Sequence, residues 1–461
     1  MRGLIVNQAI ASLSFIVGLA GCASGDDDDD ASQAAPLLAR DSVAFVSNKD
    51  HALSLLNNHS TDDDLTARTT KLASSPWAFF RGTSPLFYRD LGELPASAYA
   101  TGASDAWLMG DAHLENFGAD RGADNVEQFE LTDTDDAWRG SYTWELRRFA
   151  VSIVLAGRQQ GRTATQINAD IDTFVAEYDQ WIKNFHGNSS ELTYRLTSSG
   201  TSDWDYQLIQ KSKTDTRLAL LDKWTTKANN TRTFKASADL ATVDASTRAN
   251  IVNAIASYRT TAISPFTSAE AQVKDVRRRL NAGTGSLGRF RWYVLLEGKT
   301  TDPDDDRIME LKQEVDPAPK QLATNATTYT RGERPARALE WLSFQSDNKA
   351  GWASVGSVPV LVKEKSPYAE DIAITDLTTS AYWADTVRDC ARLLAAGTSS
   401  ADQDLTGTGL TYSADAAIDN AITSVAGLQS ETRSFANSYA DQVQSDWQAY
   451  VNAKNSGQPM F

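Results

Sequence analysis

The chain has 461 residues, 41% hydrophobic and 23% charged, an ordinary composition for a soluble globular protein and enough length for roughly two or three core units. A formal net charge of -16 argues against DNA or RNA binding, which needs a basic face, so no nucleic-acid partner is expected. Beyond Cys22 the only cysteine is Cys390, so an internal disulfide between folded segments is excluded and the fold must rest on its core.

The first segment sets the compartment. Arg2 precedes a mostly apolar stretch from Leu4 to Ala20, interrupted by Asn7, Gln8 and Ser12 and too short for a good membrane span. It ends at Leu19-Ala20-Gly21-Cys22, which resembles the lipobox of bacterial lipoproteins, in which the cysteine becomes the lipidated first residue. Residues 1–21 then read as the signal peptide and 22–40 as the lipidated Cys22 and its linker. The successive carboxylates Asp26 to Asp30 repel one another and cannot pack, as suits a solvated spacer. Ala23, rather than Asp, after the cysteine resembles outer-membrane sorting in Gram-negative cells. The expected location is the cell envelope, lipid-anchored to the outer membrane and facing the periplasm.

Asp41 to about Thr70 reads as helix with polar turns, followed by the aromatic stretch Ser75–Gly82. Ala106–Met109 is a short apolar strand feeding a loop at Gly110, and Phe129–Thr132 is a second strand ending in an acidic cluster. Trp144–Ala156, Gln166–Asn184 and Ser246–Tyr258 carry apolar residues at helical spacing. Near Val273 the texture changes: Arg277 leads into the Gly-rich turn Gly283–Gly288, and Phe290–Leu296 is a strong strand signal. Thr300–Asp306 is a polar turn from which Arg307–Gln313 returns as hairpin partner, and Val358–Val362 is a further strand. Helical patterns cover Ala381–Ala396 and Ala414–Ala453, and Thr398–Leu410, rich in Ser, Thr, Gly and Asp, reads as a loop. The expected regions are a helical part over 41–270 bearing the Gly110 loop, a strand region over 271–365, and a C-terminal helical region over 366–455.

The chemistry concentrates in Gly110–Gly118. An Asp followed five residues later by an Asn, after a short strand, is the spacing of a phosphotransferase loop: Asp111 would accept the substrate proton as catalytic base and Asn116 would hold a metal. Both belong on one loop because metal and attacking atom meet at the same phosphate. Asp133, at the end of the second strand, would be another metal ligand, and Asp135 and Asp136 add charge that favours a hard cation such as magnesium or manganese. Each residue also has an ordinary use: Asp111 as a helix cap, Asn116 as a turn former, Asp133–Asp136 as a solvated turn. His113 reads as a hydrogen-bonded loop residue, and with four His in the chain and no paired spacing there is no zinc site. The Gly-rich turn has the form G-x-G-x-x-G and precedes a strand rather than a helix. That context favours a loop over nucleotide phosphates, with Gly283, Gly285, Ser286 and Gly288 as its contacts. Lys312 would clamp the phosphates, with Lys363 as its rival.

Together these segments resemble the bacterial family catalogued as domain of unknown function 2252. The likeness covers Ser75–Gly82 with Arg81, Gly110–Gly118 with His113, Thr132–Asp136, Trp144–Arg148, Gly283–Gly288, Lys312, Phe435-Ala436 and Tyr439–Gln442. The resemblance implies an α+β, helix-rich, two-lobed fold of the protein-kinase-like and aminoglycoside-phosphotransferase-like group. Here the catalytic loop precedes the Gly-rich loop by about 170 residues, the reverse of ordinary kinases, so a permuted order is expected. Three positions depart from the family: Thr132-Asp133-Thr134-Asp135-Asp136 replaces Asn-Asp-Phe-Asp-Glu, Glu145 replaces an Asp, and Ala391–Ala396 lacks a His.

The expected function is a metal- and nucleotide-dependent phosphotransferase acting on a small-molecule or envelope-linked substrate. The alternative is an inactive ligand-binding or envelope interaction lipoprotein that reuses the fold. The tether is separately testable: Cys22→Ser should abolish lipidation and release the protein from membranes, and retention of the variant in the high-salt membrane fraction contradicts the lipobox reading.

Overall fold

The computed structural model describes residues 40–461 except 265, 324–326, 346 and 348. Cys22, the signal segment and most of the acidic linker lie outside the described residues. Within them the protein is mixed α+β.

Its sheet has six antiparallel strands in the order Gly351–Val355, Val358–Glu364, Arg307–Gln313, Arg291–Leu296, Val273–Arg279 and Leu240–Ala241. Alternation sorts the side chains. Trp292, Val294, Leu296, Met309 and Leu311 pack against Ile251, Ile255 and Tyr258 of the Ala245–Tyr258 helix. Tyr293, Leu295 and Ile308 turn to the other face, where Leu221 and Phe234 cover them. The register pairs Arg291 with Lys312, Tyr293 with Glu310, and Glu310 with Lys363. One end of that second face therefore carries Arg291, Glu310, Lys312 and Lys363 as a charged group.

The largest core is helical. Tyr142–Gln159, Ala164–Phe185, Ser380–Ser400 and Val425–Asn455 pack together around Phe149, Phe174, Trp383 and Ala440. A capping box, Thr163 with Gln166, starts the second of these helices. Two expectations change here. Thr398–Ser400 continues the helix instead of opening a loop, because the Thr398 and Ser400 hydroxyls bond back to the Leu394 and Gly397 carbonyls. Ala414–Ala453 is two helices, Ala414–Ala421 and Val425–Asn455, the second started by Ser424, which accepts from the Gly427 amide. Val273–Arg279, not read as a strand from its run of charges, is one because its backbone pairs with Arg291–Leu296.

Two small sheets hold the loops of interest. Asp105–Leu108 pairs with Trp138–Ser141, and Phe117–Arg121 pairs with Glu127–Leu131. The partners Leu108 and Trp138, then Phe117 and Leu131, bracket two loops and force 109–116 to lie against 132–137. The Thr132 amide donates to the Asn116 carbonyl at 3.0 Å. Gly110 has a φ of +82°, and a Cβ there would strike the Asp136 carbonyl oxygen, so only glycine allows this approach. From the Glu333–Leu342 helix, Arg334 donates to the Ala137 carbonyl at 2.8 Å and the Pro335 carbonyl accepts from Thr134.

Gly110→Ala is expected to cost more than about 1 kcal/mol, since both the positive φ and the contact with Asp136 oppose a methyl group. Urea denaturation of the variant measures this, and an unchanged midpoint contradicts the account.

Candidate functional site

The two facing loops, the charged end of the sheet and the Gly-rich turn enclose one cavity of about 800 Å³. Asp111, His113, Asn116, Asp133 and Asp135 line it from the loops; Gly283, Gly285, Ser286 and Lys312 line it from the sheet, and Arg81 lies at the side. Residues about 170 positions apart in the chain thus share one space.

Asp111 is held by Arg148, a fully buried arginine of the Tyr142–Gln159 helix, whose Nε donates to Oδ1 at 2.7 Å and whose Nη2 contacts the same oxygen. Burial pushes the Asp111 carboxyl up to about 6; Arg148 only partly offsets this, and Asp136 adds to it. One turn earlier on that helix, Glu145 accepts from the Gly110 amide at 3.0 Å and the Met109 amide at 3.3 Å. Burial raises Glu145 to about 8 against those amides. This residue, which departs from the family pattern, holds the exit of the first strand. Asn116 uses its Nδ2 to donate to the Asp111 carbonyl at 2.9 Å, which aims its donor side into the loop.

His113 is buried, stands edge-on to Trp77 with ring centroids 5.8 Å apart, and is held neutral first by burial and then by Arg81 and Arg148. Arg81 pairs with Glu115 and lies over the Trp77 ring.

Lys312 lies between two carboxylates. It contacts Asp135 and is 3.3 Å from Asp133 Oδ2. Against its burial, Lys312 and Lys363 hold Asp133 far below the usual carboxylate range. Burial and the neighbouring Asp133 raise Asp135 instead. Asp135 also contacts Arg289 at 3.3 Å, while its Oδ1 is buried without a hydrogen-bond partner. Lys363 lines the same cavity, 3.4 Å from the Thr132 carbonyl.

The Gly-rich turn joins two adjacent antiparallel strands and is pinned through its carbonyls. Arg68 donates to the Thr284 and Gly285 carbonyls at 3.0 Å, and Lys71 to that of Gly283 at 2.8 Å. Arg291 donates to Ser286 Oγ at 3.0 Å. Gly288 does not line the cavity: it sits on Leu53 and Leu65, and its carbonyl accepts from Asn57. Its role is to pack the end of the turn.

Glu145 and Arg148 entered only through the family likeness, with no site role, and nothing in the sequence singled out Arg289 or Arg291. The one signal for the first two was a pair of charges on the buried side of an otherwise apolar helix. It also missed the far end of the cavity, where burial raises the carboxyls of Asp120, Glu130 and Asp347 to about 6, 8 and 7.

Chemically, the donors at the loop end, two carboxylates and a carboxamide, are all oxygen and suit a hard cation. The orphaned Oδ1 of Asp135 is consistent with a further positive partner there. The neighbouring arginines and lysines suit a phosphate chain.

Removing Arg148 leaves a buried carboxylate uncompensated, so Arg148→Met is expected to cost about 3–5 kcal/mol at pH 8. Because the Asp111 carboxyl takes a proton more readily in the folded state, the deficit should shrink as pH falls through about 6. Combining Asp111→Asn with Arg148→Met should recover part of it. Urea denaturation at pH 5 and pH 8 tests this; a pH-independent deficit contradicts the pairing.

No curated protein and no solved structure matches the chain. One family does, over residues 61–453: the chain belongs to the family described as uncharacterized protein conserved in bacteria (DUF2252).

Proposed function

We propose that the protein is a metal-dependent phosphotransferase of the protein-kinase-like and aminoglycoside-phosphotransferase-like group with its lobes in permuted order. One observation carries the reading. Asp111, Asn116 and Asp133 share a cavity with a Gly-rich strand-turn-strand and with Lys312, although the turn and Lys312 come far later in the chain.

In this reading Asn116, Asp133 and Asp135 hold magnesium or manganese, which would neutralise charge on the transferred phosphate. Lys312, Arg289 and Arg291 face the phosphates of a nucleotide under the Gly283–Ser286 turn. Asp111 takes the proton of the acceptor hydroxyl or amine as that atom bonds to phosphorus and the bond to the leaving phosphate breaks. Arg148 and Glu145 keep Asp111 in position. The acceptor is a small or envelope-linked molecule, and the enzyme acts at the periplasmic face of the outer membrane, anchored through Cys22.

The second reading, a binding lipoprotein reusing the fold, draws on one specific contact: Arg148 already engages the carboxylate that a base would use.

Nucleotide with magnesium or manganese should raise the melting temperature of the protein, because a ligand that binds only the folded state stabilises it by mass action. Asp133→Ala should remove the metal-dependent part. Asp111→Ala should keep nucleotide binding and lose transfer, since a base acts in the transition state. Transfer should rise with pH through about 6 as Asp111 loses its proton. Absence of any nucleotide shift favours the binding reading.

A further inference from the structure

The turn between Arg291–Leu296 and Arg307–Gln313 lies at the end of the hairpin away from Lys312. Asp306, immediately before the strand, and Lys312 on it are six residues apart, roughly 20 Å at about 3.3 Å per residue. Glu297, Asp305 and Asp306 line no part of the cavity described above.

Each of the three offers an oxygen, and these atoms all lie within 4.8 Å of one another. Cations of calcium size bind oxygens at about 2.3–2.6 Å, which puts oxygens on opposite sides of the ion about 5 Å apart. The set therefore has the right span for one shared ion.

A second observation is independent of this clustering. Asp306 is fully buried, and its Oδ2 has no hydrogen-bond partner; Asp305 Oδ1 is likewise buried and unpartnered. Buried carboxylate oxygens are rarely left so, and a cation supplies what they lack. Three of the other four oxygens have protein partners. Asp305 Oδ2 accepts from the Thr300 amide and hydroxyl, both at 2.9 Å. Lys274 donates to Glu297 Oε1 at 2.9 Å and to Asp306 Oδ1 at 2.7 Å. Three carboxylates and one ammonium leave two negative charges, which one divalent cation balances. The neighbouring Asp304 is already matched by Arg232 and Lys227. Gly298 supplies the space: a Cβ there would collide with Asp305 Oδ1.

We propose that Glu297, Asp305 and Asp306 form a binding site for a hard divalent cation, best filled by calcium, which ties the hairpin turn to the start of the Val273–Arg279 strand through Lys274. All donors are oxygen, which disfavours zinc and copper, and the site is separate from the phosphotransfer reading.

Calorimetric titration of the chelator-treated full chain in detergent with calcium chloride tests it. The expected result is a binding event that weakens tenfold or more in Asp305→Asn and in Asp306→Asn and persists in Asp133→Asn. Lys274→Met should tighten it, because a competing positive charge is gone. Calcium should also raise the melting temperature of the unmodified protein. Two results overturn the proposal: no calcium-dependent heat or melting shift, which leaves Lys274 as the only counter-charge, or a heat lost in Asp133→Asn and kept in Asp305→Asn.

Discussion

The site depends on one constraint: the buried ammonium of Lys312 cannot keep its charge unless it meets carboxylates, here the buried Asp135 and the partly exposed Asp133. Lys312 stands in the middle of the sheet, and Asp133 and Asp135 stand on a loop 179 and 177 residues earlier. Burial alone would strip the charge from Lys312. The two carboxylates reverse that, and the lysine in turn keeps Asp133 ionised. The bridge fixes where the sheet sits relative to the loop, so it brings the Gly-rich turn over Asp111.

A second set of contacts fixes the loop from behind. Arg148 and Glu145 lie one turn apart on a buried helix. One holds the Asp111 carboxylate and the other holds the amides of Met109 and Gly110. Both ends of the short segment are thereby set by one rigid element. A site held this way needs little rearrangement to engage a ligand, which is the physical advantage of preorganised charge. The same logic applies to the Gly-rich turn, whose carbonyls are tied to Arg68 and Lys71.

These contacts also account for the residues that depart from the family pattern. Glu145 is longer than the Asp it replaces and still reaches two amides. Beside Asp133, the unchanged Asp135 shares Lys312 with it, and Asp136, in place of a Glu, accepts from the Ala318 amide at 2.8 Å.

What the sequence determined by itself was local. The spacing of Asp111 and Asn116 after a short apolar strand, the return strand before Asp133, and the hairpin from Phe290 to Gln313 are all short-range patterns, and each lies where its pattern put it. The α+β class was what the family resemblance implied. The helix end at Ser400 and the break before Val425 were misread because single hydroxyls decide them. Gly288 looked equivalent to Gly283 in the motif, yet packing on Leu53 and Leu65 turns it away from the cavity. Arg148 and Glu145 showed only as two charges on an otherwise apolar helix, and the orphaned carboxylates of the hairpin turn carried no local signal. Only tertiary structure decided them, because a charged side chain needs a partner once burial removes its water, and which partner it finds depends on residues brought close from far along the chain.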